Sequence, residues 1–222
     1  MASRRIKVDK PFLIITVILA ITGFFIFSSA SLGLLAKSNS NYSNVAFSQT
    51  VLGLFAGTIA MIIATRLDPR ILKKSAFYLL FAAIVLNILV LMPSIGFEHG
   101  GARRWIMFGN FSFQPSEILK LGFIIYFAAW AAGAKEKIKT FSYGLLPLMA
   151  LLAICGFLLL KQPDTDAFMV IVMTGLAMFL SAGGRSKHIL LAILILVMGV
   201  VFLAYSRPYV RQRLDTYLNP QT

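Results

Sequence analysis

Residues 100–120 have the sequence GGARRWIMFGNFSFQPSEILK and lie between two long apolar runs. The segment carries four charged side chains, those of Arg103, Arg104, Glu117 and Lys120. Charged groups at the edge of a bilayer are costly unless they pair or contact water, so they mark a functional site by default. The interpretation of these four residues therefore depends on whether the neighbouring runs cross a membrane.

The composition indicates an integral membrane protein. Of the 222 residues, 59% are hydrophobic and 13% are charged, and the mean hydropathy is +0.83, which excludes an ordinary soluble domain. The apolar runs approach the roughly 20 residues that a helix needs to cross a bilayer. The first run is too long for a typical signal core, so we expect an uncleaved first helix. We predict an all-α polytopic membrane protein with an outer loop at 93–116 and about seven transmembrane helices, at about 11–33, 45–65, 75–92, 117–134, 143–160, 166–182 and 188–205.

The basic residues indicate how these helices are oriented. Most of the Lys and Arg residues lie on one side of the predicted membrane, and the positive-inside rule assigns that side to the cytoplasm. The N-terminus is then cytoplasmic and the C-terminus outside. The net charge of +13 does not indicate a nucleic-acid partner, because the cations lie in short segments between helices. The cytoplasmic set consists of Arg4, Arg5, Lys7, Lys10, Arg66, Arg70, Lys73, Lys74, Lys135, Lys137, Lys139, Arg185 and Lys187.

Two residues inside the apolar runs can be interpreted from their chemistry alone. Asn87 lies deep in the third run, where its amide needs a partner, so we expect a hydrogen bond to a neighbouring helix. Cys155 is the only cysteine of the chain and lies in the fifth run. An internal disulfide is therefore impossible.

The outer segment allows two interpretations. Arg103 and Arg104 are interleaved with aromatic residues such as Trp105, which favour the membrane interface. One interpretation is an interfacial anchor with snorkelling arginines. The other is an anion site for a lipid that carries a pyrophosphate, because guanidinium groups bind phosphate in a bidentate manner and stay charged when partly desolvated.

Two predicted helices start at the outer face with similar sequences. The segments 114–117 and 162–164 each place a proline before an acidic residue, which suits the first turn of a helix. Two exposed helix N-termini would strengthen a nearby anion site. Glu117 and Lys120 are three residues apart and can pair on one helix face. We expect this pair to face the protein interior.

These motifs resemble those of the SEDS family, the polytopic glycosyltransferases that polymerise bacterial peptidoglycan and include FtsW, RodA and SpoVE. The family carries a Gly-Ala-x-Arg-Trp-Ile segment, a Gln-Pro-Ser-Glu motif with a Lys three residues later, and a subsequent Pro-Asp motif. This chain matches them at 101–106, 114–120 and 162–164, and its closing segment 211–220 also resembles the family. The Gln before the Pro-Asp motif favours the division branch, represented by FtsW.

The chain also departs from the family pattern in two respects. Thr165-Asp166 follows the Pro-Asp motif, where the family usually has a bulky residue and Gly. The resemblance further implies about three more helices and an outer loop with the catalytic aspartate beyond Thr222. The chain therefore resembles the N-terminal two-thirds of the SEDS fold, without the expected catalytic loop.

The resemblance implies glycosyl transfer on lipid II, an undecaprenyl-pyrophosphate-linked disaccharide peptide, at the outer face of the membrane during cell division. It leaves the catalytic residue unassigned in this chain, with Asp164 as a candidate base. Cationic side chains or a divalent cation would neutralise the leaving pyrophosphate. We expect no covalently bound cofactor and no metal-ligand set among these residues. The candidate substrate-binding residues are Arg103, Arg104, Gln114, Glu117, Lys120 and Asp164.

The resemblance also implies partners and a location. The expected partners are lipid II, a class B penicillin-binding protein and other membrane proteins of the division apparatus. The expected location is the bacterial cytoplasmic membrane at the division septum. Two other functions remain open: a flippase or transporter for lipid-linked precursors, which would also use charges within the membrane, and a non-catalytic scaffold for division proteins.

Overall fold

The computed structural model describes residues 9–35, 55, 57–99, 102–108 and 111–206. The chain divides into two compact units, Met1–Leu67 and Asp68–Thr222. Most of the predicted helix at 45–65, the leading residues Arg4, Arg5 and Lys7, and the closing segment 211–220 lie outside the described residues. The first unit contains α1 (Lys10–Leu35) and α2 (Gly57–Arg66). The second contains α3 (Pro69–Leu89), β1 (Gly96–His99), β2 (Ala102–Phe108), β3 (Phe111–Phe113), α4 (Pro115–Ala134), α5 (Leu146–Lys161), α6 (Thr165–Ser181) and α7 (Ser186–Ser206).

Several of these helices can cross a bilayer. Among the described residues, three helical stretches are long and apolar enough to do so: Pro69–Leu89, Pro115–Lys139 and Phe141–Lys161. The last two include short 3₁₀- and π-helical turns on either side of Thr140. Shorter apolar helices occupy the regions of the other predicted spans. The polytopic helical fold class is thereby confirmed, while the count of seven spans and the sides of the two termini stay predictions.

Helix α3 begins earlier than the predicted start at residue 75. Asp68 caps its N-terminus by accepting a hydrogen bond from the Arg70 backbone N–H at 2.8 Å, and Pro69 occupies the first turn. Both features favour a helix start at this point. Hydropathy alone missed the first turn because Lys73 and Lys74 are polar and exposed.

The predicted outer loop contains a three-stranded antiparallel sheet that the sequence did not predict. The strand order is β1-β2-β3, with Phe97 opposite Trp105 and Ile106 opposite Phe113. Because side chains alternate along a strand, Ile106 lies on the buried face of β2 and Trp105 on the exposed face. A β-bulge interrupts this alternation at Arg104, because β1 pairs Phe97 with Trp105 and Glu98 with Arg103 and leaves Arg104 without a partner residue on that strand.

The core of the second unit lies among α3, α4, α5 and α6. Phe123 and Phe127 of α4 are fully buried and stack with their ring centroids 6.1 Å apart. A β-carbon on Gly175 of α6 would lie 2.9 Å from Cζ of Phe123, so this position needs glycine if α6 is to approach α4 closely. Cys155 of α5 is fully buried in the same cluster.

A buried pair of amides connects α3, the start of α4 and the end of α5. The Nδ2 atom of Asn87 donates to the backbone oxygen of Pro115 at 3.0 Å and to that of Ala83 at 2.8 Å. The Nε2 atom of Gln162 donates to the backbone oxygen and to Oδ1 of Asn87 at 3.0 and 3.1 Å. Both side chains are fully buried. The expected hydrogen bond from Asn87 to a neighbouring helix is therefore confirmed.

We predict that this amide pair behaves as one energetic unit. Asn87→Leu removes the Oδ1 acceptor and leaves one Nε2 proton of buried Gln162 without a partner, at a cost of about 1–3 kcal/mol. Gln162→Leu should cost a similar amount. The double variant should lose less stability than the two single variants combined, because it removes both amides and so leaves neither of them without its partner.

The measurement is the free energy of unfolding in detergent of the unchanged chain, the two single variants and the double variant, obtained from thermal or denaturant scans. Ser181→Ala serves as the control, because this exposed hydroxyl bonds only to the backbone oxygen of Ala177 in its own helix. Strictly additive losses would contradict the coupling.

Candidate functional site

Arg104 holds the turn between α5 and α6. Its Nε atom donates to the backbone oxygen of Gln162 at 3.0 Å, and its Nη2 atom donates to that of Pro163. Its Nη1 atom lies 3.8 Å from Oδ1 of Asp164, and the Arg104 side chain is 20% exposed. A cation is favourable beside the carbonyl groups at a helix C-terminus. One side chain of β2 thus fixes three consecutive residues of the turn.

Asp164 joins the starts of α4 and α6. Its Oδ1 atom accepts from the backbone N–H of Ala167 at 3.4 Å, which caps α6. Its Oδ2 atom accepts from Nε2 of Gln114, the residue that precedes α4, at 3.0 Å. The two predicted helix starts therefore lie together. The sequence predicts that both helix starts are exposed, but Asp164 and Pro115 are buried.

Arg103 pairs with Glu98 across the β1–β2 ladder and is partly exposed. Its Nε atom donates to Oε2 of Glu98 at 2.9 Å, and the two side chains are 35% and 51% exposed. Sequence reasoning did not select Glu98, because its partner becomes evident only from the pairing of β1 with β2. The structure thus adds Glu98 to the candidate residues.

Glu117 and Lys120 form the predicted pair on α4. The distance from Nζ of Lys120 to Oε1 of Glu117 is 2.8 Å, but the Glu117 side chain is 57% exposed. The expectation that the pair faces the interior is therefore wrong for Glu117. The buried face of α4 instead runs through Ser116, Leu119 and Phe123, and a period of 3.6 residues places Glu117 off that face.

The six predicted residues therefore fall into two sets. We call Arg104, Gln114 and Asp164 the interior set, since their polar groups form hydrogen bonds within the protein. The accessible set consists of Arg103, Glu117 and Lys120, which form ion pairs while 35%, 57% and 23% of their side chains are exposed. Strand β2 packs against α4, so both sets lie near the start of α4. The accessible cations can exchange a carboxylate for an anionic ligand, while the interior set holds the scaffold.

The described residues offer no ready metal site. No group of three His, Cys, Asp or Glu side chains within these ranges lies close enough to hold an ion. The carboxylates of Glu98 and Glu117 are each engaged with a cation, and that of Asp164 caps a helix.

Comparisons with known proteins agree with the motifs. The family model for FtsW, RodA and SpoVE, described as "Cell cycle protein", matches residues 10–222. The chain is 38% identical over 170 residues to a probable peptidoglycan glycosyltransferase FtsW of Geobacter metallireducens, covering 76% of this chain and 45% of that protein. It is 33% identical over 218 residues to the protein of the same name from Trichlorobacter lovleyi, covering 98% and 57%.

The fold is similar to that of a solved structure as well. A chain from a peptidoglycan synthase complex, studied for its structural coordination of polymerization and crosslinking, superimposes with a TM-score of 0.68 at 24% identity. The match covers 93% of this chain and 59% of that one. This chain spans about half the length of the curated relatives it matches. The family model and these relatives show that the chain belongs to the FtsW/RodA/SpoVE family.

Proposed function

We propose that this chain forms the lipid-binding part of a peptidoglycan glycosyltransferase that polymerises lipid II at the outer face of the membrane. The observation that supports this most directly is the accessible set of charged residues on the motif segments. Arg103 and Lys120 are cations within reach of solvent at the outer end of the fold. Relatives at 33–38% identity are named probable peptidoglycan glycosyltransferases.

The carboxylate partners of these cations suit a site that must open for a ligand. A partly exposed ion pair contributes only about 0–1 kcal/mol, so a phosphate group can replace Glu98 beside Arg103 at little cost. A pyrophosphate carries more charge than a carboxylate and forms stronger, charge-assisted hydrogen bonds. Before a ligand binds, Glu117 holds Lys120 in position through a hydrogen bond. We propose that both cations bind the pyrophosphate of lipid II.

The interior set has a positioning role in this proposal. In glycosyl transfer, an acceptor hydroxyl attacks the anomeric carbon of the donor while undecaprenyl pyrophosphate leaves, and a carboxylate base must lie near that hydroxyl. Asp164 is 3% exposed and holds Gln114 and the start of α6, which leaves it poorly placed to contact a substrate. We therefore assign the base to a residue beyond Thr222, where the family resemblance places it.

Partners and location follow from the same proposal. The fold match to a complex that couples polymerization with crosslinking supports a class B penicillin-binding protein as partner. The family's description as a cell cycle protein supports the bacterial cytoplasmic membrane at the division septum, alongside other division proteins. A divalent cation, if one takes part, would bind the pyrophosphate oxygens of the substrate, because the described residues do not supply a ligand set.

The first test measures binding of fluorescent lipid II to the purified chain in nanodiscs. We expect Lys120→Ala and Arg103→Ala each to weaken binding roughly tenfold, the loss of one charge-assisted contact. Lys161→Ala is the matched control, since this exposed lysine also lies at the outer face but rests over the ring of Phe157. Equal weakening by the control, or unchanged binding in both test variants, would contradict the anion site.

A second prediction separates the interior set from the accessible set. Arg104→Ala leaves the nearly buried Asp164 carboxylate without its cation and frees two backbone carbonyl groups, so we expect a loss of roughly 3 kcal/mol in stability. Thermal unfolding in detergent measures this loss. Arg103→Ala, one residue away, removes only a partly exposed ion pair with Glu98 and should change the melting temperature little. A melting temperature of Arg104→Ala close to that of the unchanged chain would show that the turn does not depend on this guanidinium.

A third prediction distinguishes enzyme from transporter. We expect the chain, with or without its class B partner, to bind lipid II without forming glycan, because the base lies outside these residues. Glycan formation would place the base within the chain, with Asp164→Asn as the next variant to assay. Movement of fluorescent lipid II between the leaflets of vesicles, abolished by Lys120→Ala, would instead favour a transporter.

A further inference from the structure

A second site is suggested by a cleft at the opposite end of α4 and α6 from the candidate functional site. The two helices run side by side, and near their C-termini they border an open cleft of about 760 Å³. This volume lies within the range of ligand sites, roughly 300–1,000 Å³. The positive-inside rule assigns this end of the helices to the cytoplasm, so the cleft lies away from the proposed lipid II site.

Small side chains line the membrane part of the cleft. Ala128 and Ala132 of α4 face Ala177 and Ser181 of α6 across it, and all four are exposed. From Ala128 to the end of α4 the helix rises about 10 Å, which corresponds to the upper part of an acyl chain. The cleft therefore opens sideways at the depth where lipid tails begin.

Aromatic residues beside the cleft indicate the level of the headgroups. The Nε1 atom of Trp130 donates to the backbone oxygen of Tyr143 at 3.0 Å, and the ammonium of Lys137 lies 5.2 Å from the centroid of the Tyr143 ring. Such aromatic residues prefer the membrane–water interface. The basic turn after α4 is thus at the depth of phosphate groups.

The rim of the cleft is strongly basic. Lys135 and Lys139 line it together with Glu136, whose carboxylate pairs with Lys139 at 2.5 Å. Lys135 has no ion-pair partner within the part of the chain that the structure describes. A β-carbon on Gly183 would lie 4.0 Å from Cε of Lys139, so the turn that precedes exposed Arg185 also borders this rim.

The backbone of Lys135 gives an independent reason to regard its side chain as important. Its φ and ψ angles are 48° and −128°, a combination with positive φ that favours glycine. A residue with a side chain costs about 1 kcal/mol or more in such a conformation. The charge at the cleft rim offers a compensating gain.

We propose that this cleft binds a glycerophospholipid with an anionic headgroup from the leaflet at this end of the helices. The headgroup phosphate lies against Lys135 and Lys139, and an acyl chain lies along the alanine-lined wall between α4 and α6. Basic pockets between transmembrane helices on the cytoplasmic side are suited to such headgroups. The proposal does not depend on the proposed glycosyl transfer.

The test uses the full chain in phosphatidylcholine nanodiscs that contain a small fraction of phosphatidylglycerol with a photoreactive acyl chain. We expect cross-links on α4 and α6 at the cleft, identified by peptide mass spectrometry. Replacing Lys135 and Lys139 by Gln should lower this labelling roughly fivefold per lysine. Lys73→Gln with Lys74→Gln is the matched control, because these exposed lysines lie on the same side at the start of α3 and should leave the labelling unchanged.

Two further variants separate lipid binding from folding. Lys135→Gly suits the backbone at φ 48°, so it should maintain or raise the melting temperature while it lowers labelling. Ala177→Trp keeps every charge but fills the cleft, and it should abolish the cross-links.

Several outcomes would overturn the proposal. One is equal labelling by photoreactive phosphatidylcholine, which would show that the headgroup charge is irrelevant. Another is an equal loss of labelling when Lys73 and Lys74 are replaced by Gln. A third is competition by soluble glycerol phosphate, which would indicate a site for a free phosphate. A photoreactive amino acid at Ala177 that cross-links to protein, from another segment or a second copy, would show that the cleft is a packing surface.

Discussion

The carbonyl groups at the end of α5 and the first N–H groups of α6 lie where the chain reverses between these two helices, and each needs a hydrogen-bond partner. Arg104 supplies donors to the carbonyl groups, and Asp164 supplies an acceptor for α6. Buried polar groups without partners cost about 1–3 kcal/mol each, so this turn is stable only while β2 holds Arg104 over it. The arrangement of α4, α5 and α6 at the outer face depends on that contact.

The same contact determines which charges can act on a ligand. A β-bulge in β2 gives the two arginines different partners, although they are adjacent in sequence. The Arg104 guanidinium is occupied by the turn between α5 and α6, whereas that of Arg103 pairs with Glu98. Strand β2 therefore carries one member of the rigid interior set and one member of the exchangeable accessible set. A site of this kind keeps its shape when ligand binding breaks its outer ion pairs.

Sequence reasoning succeeded where the signal is local. The pairing of Glu117 with Lys120 follows from helical spacing, and the polar Asn87 within an apolar run required an inter-helix partner. It failed for the sheet, because the adjacent arginines at the β-bulge of β2 interrupt the alternation of apolar and polar residues that identifies a strand. It also could not predict that Gln114 meets Asp164, since residues 50 positions apart are brought together only by the packing of α4 against α6.

Cys155 has a practical consequence for experiments on this protein. It is the only cysteine in the sequence, and its thiol is enclosed among the core side chains of α5 and its neighbours. We expect thiol reagents to react slowly with the folded chain at this position, because a thiol buried in apolar surroundings is poorly reactive. The natural sequence is therefore already a low-background host for introduced cysteines, and reagents that cannot cross the bilayer can report which residues lie on each side without prior removal of the native thiol.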